Sequence, residues 1–189
     1  MRAVARFWFV VAAGLVLAGP ALGQAPVGRI AEASGPVSLR PPGGGWAGVA
    51  RGAGLSEGQT LRTGPRSQAE LDLGANRIGL DPGTVLRIDS AHPGMPAVTM
   101  EQGRAMFLVR SLQAGQVARV MIPRGSVTLG EPGLYVIEAG EAGGTATIGV
   151  SRGMAQAYGP GVSLMVSAGE NGGGKVCHGS GGIAPLRAA

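Results

Sequence analysis

Three places in the sequence carry residue types that do chemistry. Glu70 and Asp72 stand two apart, so on a strand their carboxylates are neighbours on one face. Paired carboxylates are the groups that hydrolyse glycosides. Here they alternate with Ala69, Leu71 and Leu73, which marks them as the solvated face of a half-buried strand. Gly169-Glu170-Asn171-Gly172-Gly173-Gly174-Lys175-Val176 comes close to a phosphate-binding loop. That loop needs Ser or Thr after its Lys to hold magnesium, and a helix whose N-terminus faces the phosphates. Val176 stands at the required position, and Cys177-His178-Gly179-Ser180-Gly181-Gly182 is not a helix-forming run. Cys177 and His178 supply donors for a soft metal. The other histidine, His92, is distant in sequence beside Pro93, and a metal site needs three or four ligands. No Gly-x-Ser-x-Gly nucleophile elbow occurs. The reading is a chain with no catalytic residues, no metal site and no cofactor.

Trp46 is the residue most open to a binding role. It follows a glycine loop, in Gly45-Trp46-Ala47-Gly48. An indole so placed either stacks on a sugar or fills a gap in a core. The core plug is favoured, and Trp46 is kept as a candidate ligand contact. Tyr135 and Tyr158 are expected on strands, each with one wet end.

The elements that must position these residues are short strands. Gly (36) and Pro (13) are abundant among 189 residues, yet 44% of the chain is hydrophobic and only 14% charged. A disordered chain shows the reverse balance. Period-two runs bounded by turn residues recur. They are Val37–Leu39, Ala69–Leu73, Ile78–Leu80, Val85–Ile88, Ala97–Met100, Ala105–Arg110, Gln116–Ile122, Val127–Leu129, Leu134–Glu138, Thr145–Val150, Met154–Ala157 and Leu164–Val166. Pro41-Pro42-Gly43-Gly44-Gly45 and Asp81-Pro82-Gly83 are turns between them. The spacing of about 8 to 12 residues predicts an all-β single domain, a β-solenoid, roll or sandwich-like fold. Aromatic residues make up only 4%, so the core must come from aliphatic side chains and Met. The single cysteine, Cys177, excludes an intramolecular disulfide.

The N-terminus has the composition of an export signal. Arg2 and Arg6 precede an apolar run from Phe7 to Leu17, which Gly19-Pro20 breaks. The run is shorter than the about 20 residues a membrane span needs. Ala21-Leu22-Gly23 places small residues where a signal peptidase reads, so cleavage between Gly23 and Gln24 is expected. Removing Arg2 and Arg6 lowers the formal charge from +5 to +3. The remaining arginines are scattered rather than gathered in a stripe, and export removes the chain from nucleic acid.

A run of motifs in order adds a family. Gly58-Gln59-Thr60-Leu61-Arg62-Thr63-Gly64 is followed by Ser67-Gln68-Ala69-Glu70-Leu71-Asp72-Leu73. Thr84-Val85-Leu86-Arg87-Ile88, Gln102-Gly103, Ile122-Pro123-Arg124-Gly125, Gly133-Leu134-Tyr135-Val136, Arg152-Gly153-Met154-Ala155 and Ala168-Gly169-Glu170 come after them. From about Gly28 to Glu170 the chain resembles the FecR-like periplasmic domain. Gln59 departs from the Asp usual at its position. The resemblance implies a β domain of the binding or scaffold kind, without catalytic residues. Signalling members add a cytoplasmic segment, a membrane helix and a C-terminal module, so their whole role is not implied.

Residues 1–23 are thus expected to be a signal peptide, 24–170 a FecR-like all-β domain, and 171–189 a Gly-rich flexible tail. The expected function is a non-catalytic protein-binding or scaffold module, periplasmic or secreted by a Gram-negative bacterium, whose partner is a periplasmic or envelope protein. The alternative is a binder of cell-wall or surface glycan through Trp46 and the scattered arginines. No nucleic-acid partner and no membrane span after cleavage are expected.

Overall fold

The computed structural model describes residues 26–90, 97–140, 146–168 and 177–178. The leader with its Gly23–Gln24 junction, His92, the near-phosphate loop at 169–176 and all of the tail but 177–178 lie outside them.

Sixteen strands form among the described residues. The first eight are β1 (Gly28–Ser34), β2 (Val37–Arg40), β3 (Ala47–Gly48), β4 (Gly54–Leu55), β5 (Thr60–Thr63), β6 (Gln68–Leu73), β7 (Asn76–Leu80) and β8 (Val85–Ser90). Then come β9 (Ala97–Val109), β10 (Ala118–Ile122), β11 (Gly125–Leu129), β12 (Gly133–Ala139), β13 (Ala146–Arg152), β14 (Met154–Gly159), β15 (Val162–Ser167) and β16 (Cys177–His178). The fold is all-β, as the alternating runs predict. β16 falls inside the stretch expected to be a flexible tail, and pairs with β13.

The strands make two sheets. Sheet I runs β4–β1–β6–β7–β9–β12–β13–β16. Sheet II runs β3–β2–β5–β8–β9–β10–β11–β14–β15. β9 belongs to both. Its first half pairs with β8 and, in parallel, with β10; its second half pairs with β7 and β12. Sequence reading splits this strand into Ala97–Met100 and Ala105–Arg110. The structure joins them, because Gly103 takes φ +95° and bends the strand without ending its pairing.

Cross-strand ladders explain which residues are inside. In sheet I one row runs Ile30, Leu71, Ile78, Phe107, Tyr135, Val150. In sheet II matching rows include Ile88, Val98, Val120, Val127 and Ala118, Leu129, Ala155, Val166. All of these belong to one buried cluster. A register slip of one residue would turn every one of them outward, so the apolar pattern fixes the pairing. β1 escapes the sequence reading because Ile30 is its one large apolar residue and its register shifts between Ile30 and Glu32.

Thr63 and Thr84 hold the corners between the sheets. Thr63 Oγ1 donates to the carbonyl of Asp81 at 2.7 Å and accepts from the Thr84 amide at 2.9 Å. Thr84 Oγ1 in turn donates to the Arg104 carbonyl at 2.9 Å and accepts from its amide at 3.1 Å. Two buried hydroxyls thereby satisfy backbone groups that leave the ladders at a corner. Gln59 does a related job with its longer side chain, since its Oε1 accepts from the Ser56 amide at 2.9 Å.

Candidate functional site

The paired carboxylates are a surface ion-pair ladder. Arg29, Asp72 and Arg77 are register partners across β1, β6 and β7, with side chains on the outer face of sheet I. Arg77 bonds Glu70 and also Asp72, the latter at 3.0 Å, while Arg29 reaches Asp72 at 3.3 Å. Each carboxylate is thus matched to a cation and partly exposed, an arrangement suited to cross-strand pairing rather than proton transfer. Among the described residues no group of three His, Cys, Asp or Glu side chains could hold a metal.

Trp46 does not plug the core. Its ring lies on the surface, 36% exposed. The reason is local. The Gly44 amide donates to the Pro41 carbonyl at 3.0 Å and closes the turn. Ala47 then pairs with Leu39. Leu39 faces the core cluster, so its partner's neighbour, Trp46, must face outward beside Arg40. The Arg40 guanidinium carbon lies 4.7 Å from the indole centroid, and that of Arg62 lies 4.5 Å from it. Arg62 arrives from β5, where it pairs with Ser38 two residues before Arg40.

This cluster begins a row across the outer face of sheet II. By register the row continues from Arg40 through Thr60, which is itself buried, and then through Arg87, Thr99, Met121, Ser126 and Tyr158 to Ser163. A second row holds Arg119, Thr128, Gln156 and Met165. Arg87 is neutralised by Asp89 at 2.7 Å. At the far end the face turns apolar: Met121, Met154, Tyr158 and Met165 are 40%, 36%, 44% and 62% exposed. Tyr158 therefore has its wet end. Sequence reasoning misses this apolar patch, because its members alternate with small and polar residues on three strands and meet only through the sheet register.

Tyr135 is fully buried, contrary to the expectation of a wet end. Its hydroxyl donates to the carbonyl of Glu131 at 2.7 Å and lies 3.3 Å from that of Met154. Burial pushes the phenol above its ordinary range.

No family model matches the sequence, and no curated protein gives a significant match. Two crystal structures of a proposed anti-sigma factor from Parabacteroides distasonis do resemble it in three dimensions. Each aligns with 68% of this chain at a TM-score of 0.57, with 17% and 16% sequence identity. The chain shares their fold. It spans 59% of the neighbours' length, less than two thirds.

Proposed function

We propose that the chain is an exported, non-catalytic module of the bacterial envelope that binds a protein partner. The observation that carries this reading is the patch of Met121, Met154, Tyr158 and Met165 beside a sheet edge. Met and Tyr are enriched at the buried centres of protein interfaces, and flexible thioethers adapt to a partner's shape. Among the described residues β15 has a strand neighbour on one side only, β14. Its other side offers backbone groups for strand addition, while the patch offers side-chain pockets for specificity. The resemblance to FecR-like domains and the fold shared with a proposed anti-sigma factor support a regulatory role exerted through binding. The basic start, apolar run and Ala21-Leu22-Gly23 support export.

A photo-crosslinking amino acid placed at Tyr158 or at Met165 tests the surface, with Glu32 on sheet I as control. One discrete protein adduct is expected from the first two positions and none from Glu32. Met165→Asp should abolish the adduct at Tyr158. Equal labelling from Glu32 would remove the basis for the proposal. N-terminal sequencing of the mature protein tests export: Gln24 is expected first, and a chain beginning at Met1 would count against cleavage.

A further inference from the structure

The other end of the sheet II row poses a separate problem of charge. Arg29, Arg77, Arg87 and Arg104 each sit against a carboxylate, at distances up to 3.6 Å. Arg40 and Arg62 do not: among the described residues neither has a carboxylate partner, and both lie over the Trp46 ring. Two like charges are thus held around one indole and left unneutralised. A guanidinium stacked on an aromatic ring engages it with its flat face and keeps its N–H edge available. Those edges are forks suited to a tetrahedral or planar oxyanion.

The surroundings keep these forks in place and accessible. The ring is set by the closed turn at Pro41–Gly44 and by pairing of β3 with β2. A methyl group at Gly58 would sit 2.8 Å from Pro42 Cγ, so the loop rests on bare backbone there. A side chain at Gly43, Gly45 or Gly48 would meet nothing within 4 Å, so the ground around the ring is open. Both guanidinium carbons lie within 4.7 Å of the ring centroid, so an oxyanion at the ring would use them where they are.

We propose that Arg40, Arg62 and Trp46 form a binding site for a phosphate-type dianion. Two guanidinium groups match the charge of about −1.5 to −2 on a phosphate monoester at neutral pH. A single carboxylate neutralises only one of them. The same group occurs as free phosphate and as the headgroup of an acidic lipid, and the test separates these sources.

Titration calorimetry of the full chain with inorganic phosphate at fixed ionic strength is the first arm. Flotation with phosphatidylcholine vesicles, with and without phosphatidic acid, is the second. Saturable binding of inorganic phosphate assigns the free ion; binding only to vesicles that contain phosphatidic acid assigns the lipid-borne group. In whichever arm binds, Arg40→Gln and Arg62→Gln should each weaken affinity about tenfold, through loss of a charge-assisted fork. Arg62→Lys should weaken it as well, because an ammonium keeps the charge but not the fork. Arg152→Gln, exposed on the outer face of sheet I, should leave it unchanged, and circular dichroism of all variants should match the parent. The site is wrong if neither probe binds, if the two Gln variants bind like the parent, or if Arg152→Gln weakens binding equally. The cluster lies at the opposite end of sheet II from Met165, so a failed crosslinking experiment there leaves this site standing.

Discussion

At the scale of single residues, Tyr135 shows what one buried hydroxyl holds together. It ties the Glu131 carbonyl before β12 to the Met154 carbonyl that opens β14, bridging the two sheets at a corner. Space for it exists only because Gly153 lacks a side chain: a methyl there would lie 2.2 Å from the phenolic oxygen. Tyr135→Phe should cost about 1 kcal/mol, the usual net worth of such a bond. A pH effect should accompany it. Burial, together with the nearby Glu131 charge, raises the folded-state pKa above the unfolded one. The unfolded chain then ionises first. The stability due to Tyr135 is therefore complete below about pH 10 and falls as the pH rises through the folded value. Urea midpoints measured between neutral and alkaline pH should converge for parent and Tyr135→Phe. A gap that widens above pH 10 would contradict the burial argument. The candidate site was half legible at this scale. The loop Pro41–Gly45 and Trp46 as a candidate contact are read from the sequence, whereas the favoured core position of the ring and the absence of Arg40 from that reading are corrected by the structure. Arg62 joins them only through the pairing of β2 with β5, which no local pattern encodes.

At the scale of elements, β9 is the critical piece, and Gly103 is its hinge point. Gly103 has φ +95°, where a side chain is strained, and a methyl there would lie 2.4 Å from the Thr84 Cα. Backbone cannot yield as a flexible side chain can. Gly103→Ala should therefore cost about 3 kcal/mol, combining left-handed strain with overlap at a packed corner. Gly149→Ala is the matched control, since its methyl would find Val136 at an ordinary 3.9 Å. It should change stability by less than about 1 kcal/mol. Chemical denaturation of the two variants checks the contrast, and similar losses would mean that Gly103 is not special. Most strands were legible because Ala69, Leu71 and Leu73, like Ile78 and Leu80, alternate cleanly with polar residues. β1 was not, having a single large apolar residue and a register shift. β3 and β4 have two residues each, too few for any period to show. β9 was cut in two because glycine in a sequence reads as a stop, whereas here both flanks of Gly103 keep their partners.

At the scale of the whole molecule, sharing β9 should make the two sheets one cooperative unit. Separate sheets joined by loops can open independently, but a strand that supplies hydrogen bonds to β8 and β10 on one side and β7 and β12 on the other cannot leave one sheet intact while the other melts. The single core cluster adds to this coupling, since side chains of both sheets bury one another. The edges are different. β3 and β4 are two residues long, and β15 carries exposed Met165 on a strand bonded to β14 alone among the described residues. Native-state hydrogen exchange should therefore find the amides of β9 on both sides of Gly103 among the slowest, opening only with global unfolding. Those of β3, β4 and β15 should exchange earlier, through local fraying. The expected fraying of β15 fits the proposed role, because a strand that frays easily can re-pair with a partner, and a bound partner should then slow its exchange selectively. If the two halves of β9 instead show clearly different protection, the sheets are separate folding units and Gly103 is a boundary between them rather than a bend within one strand.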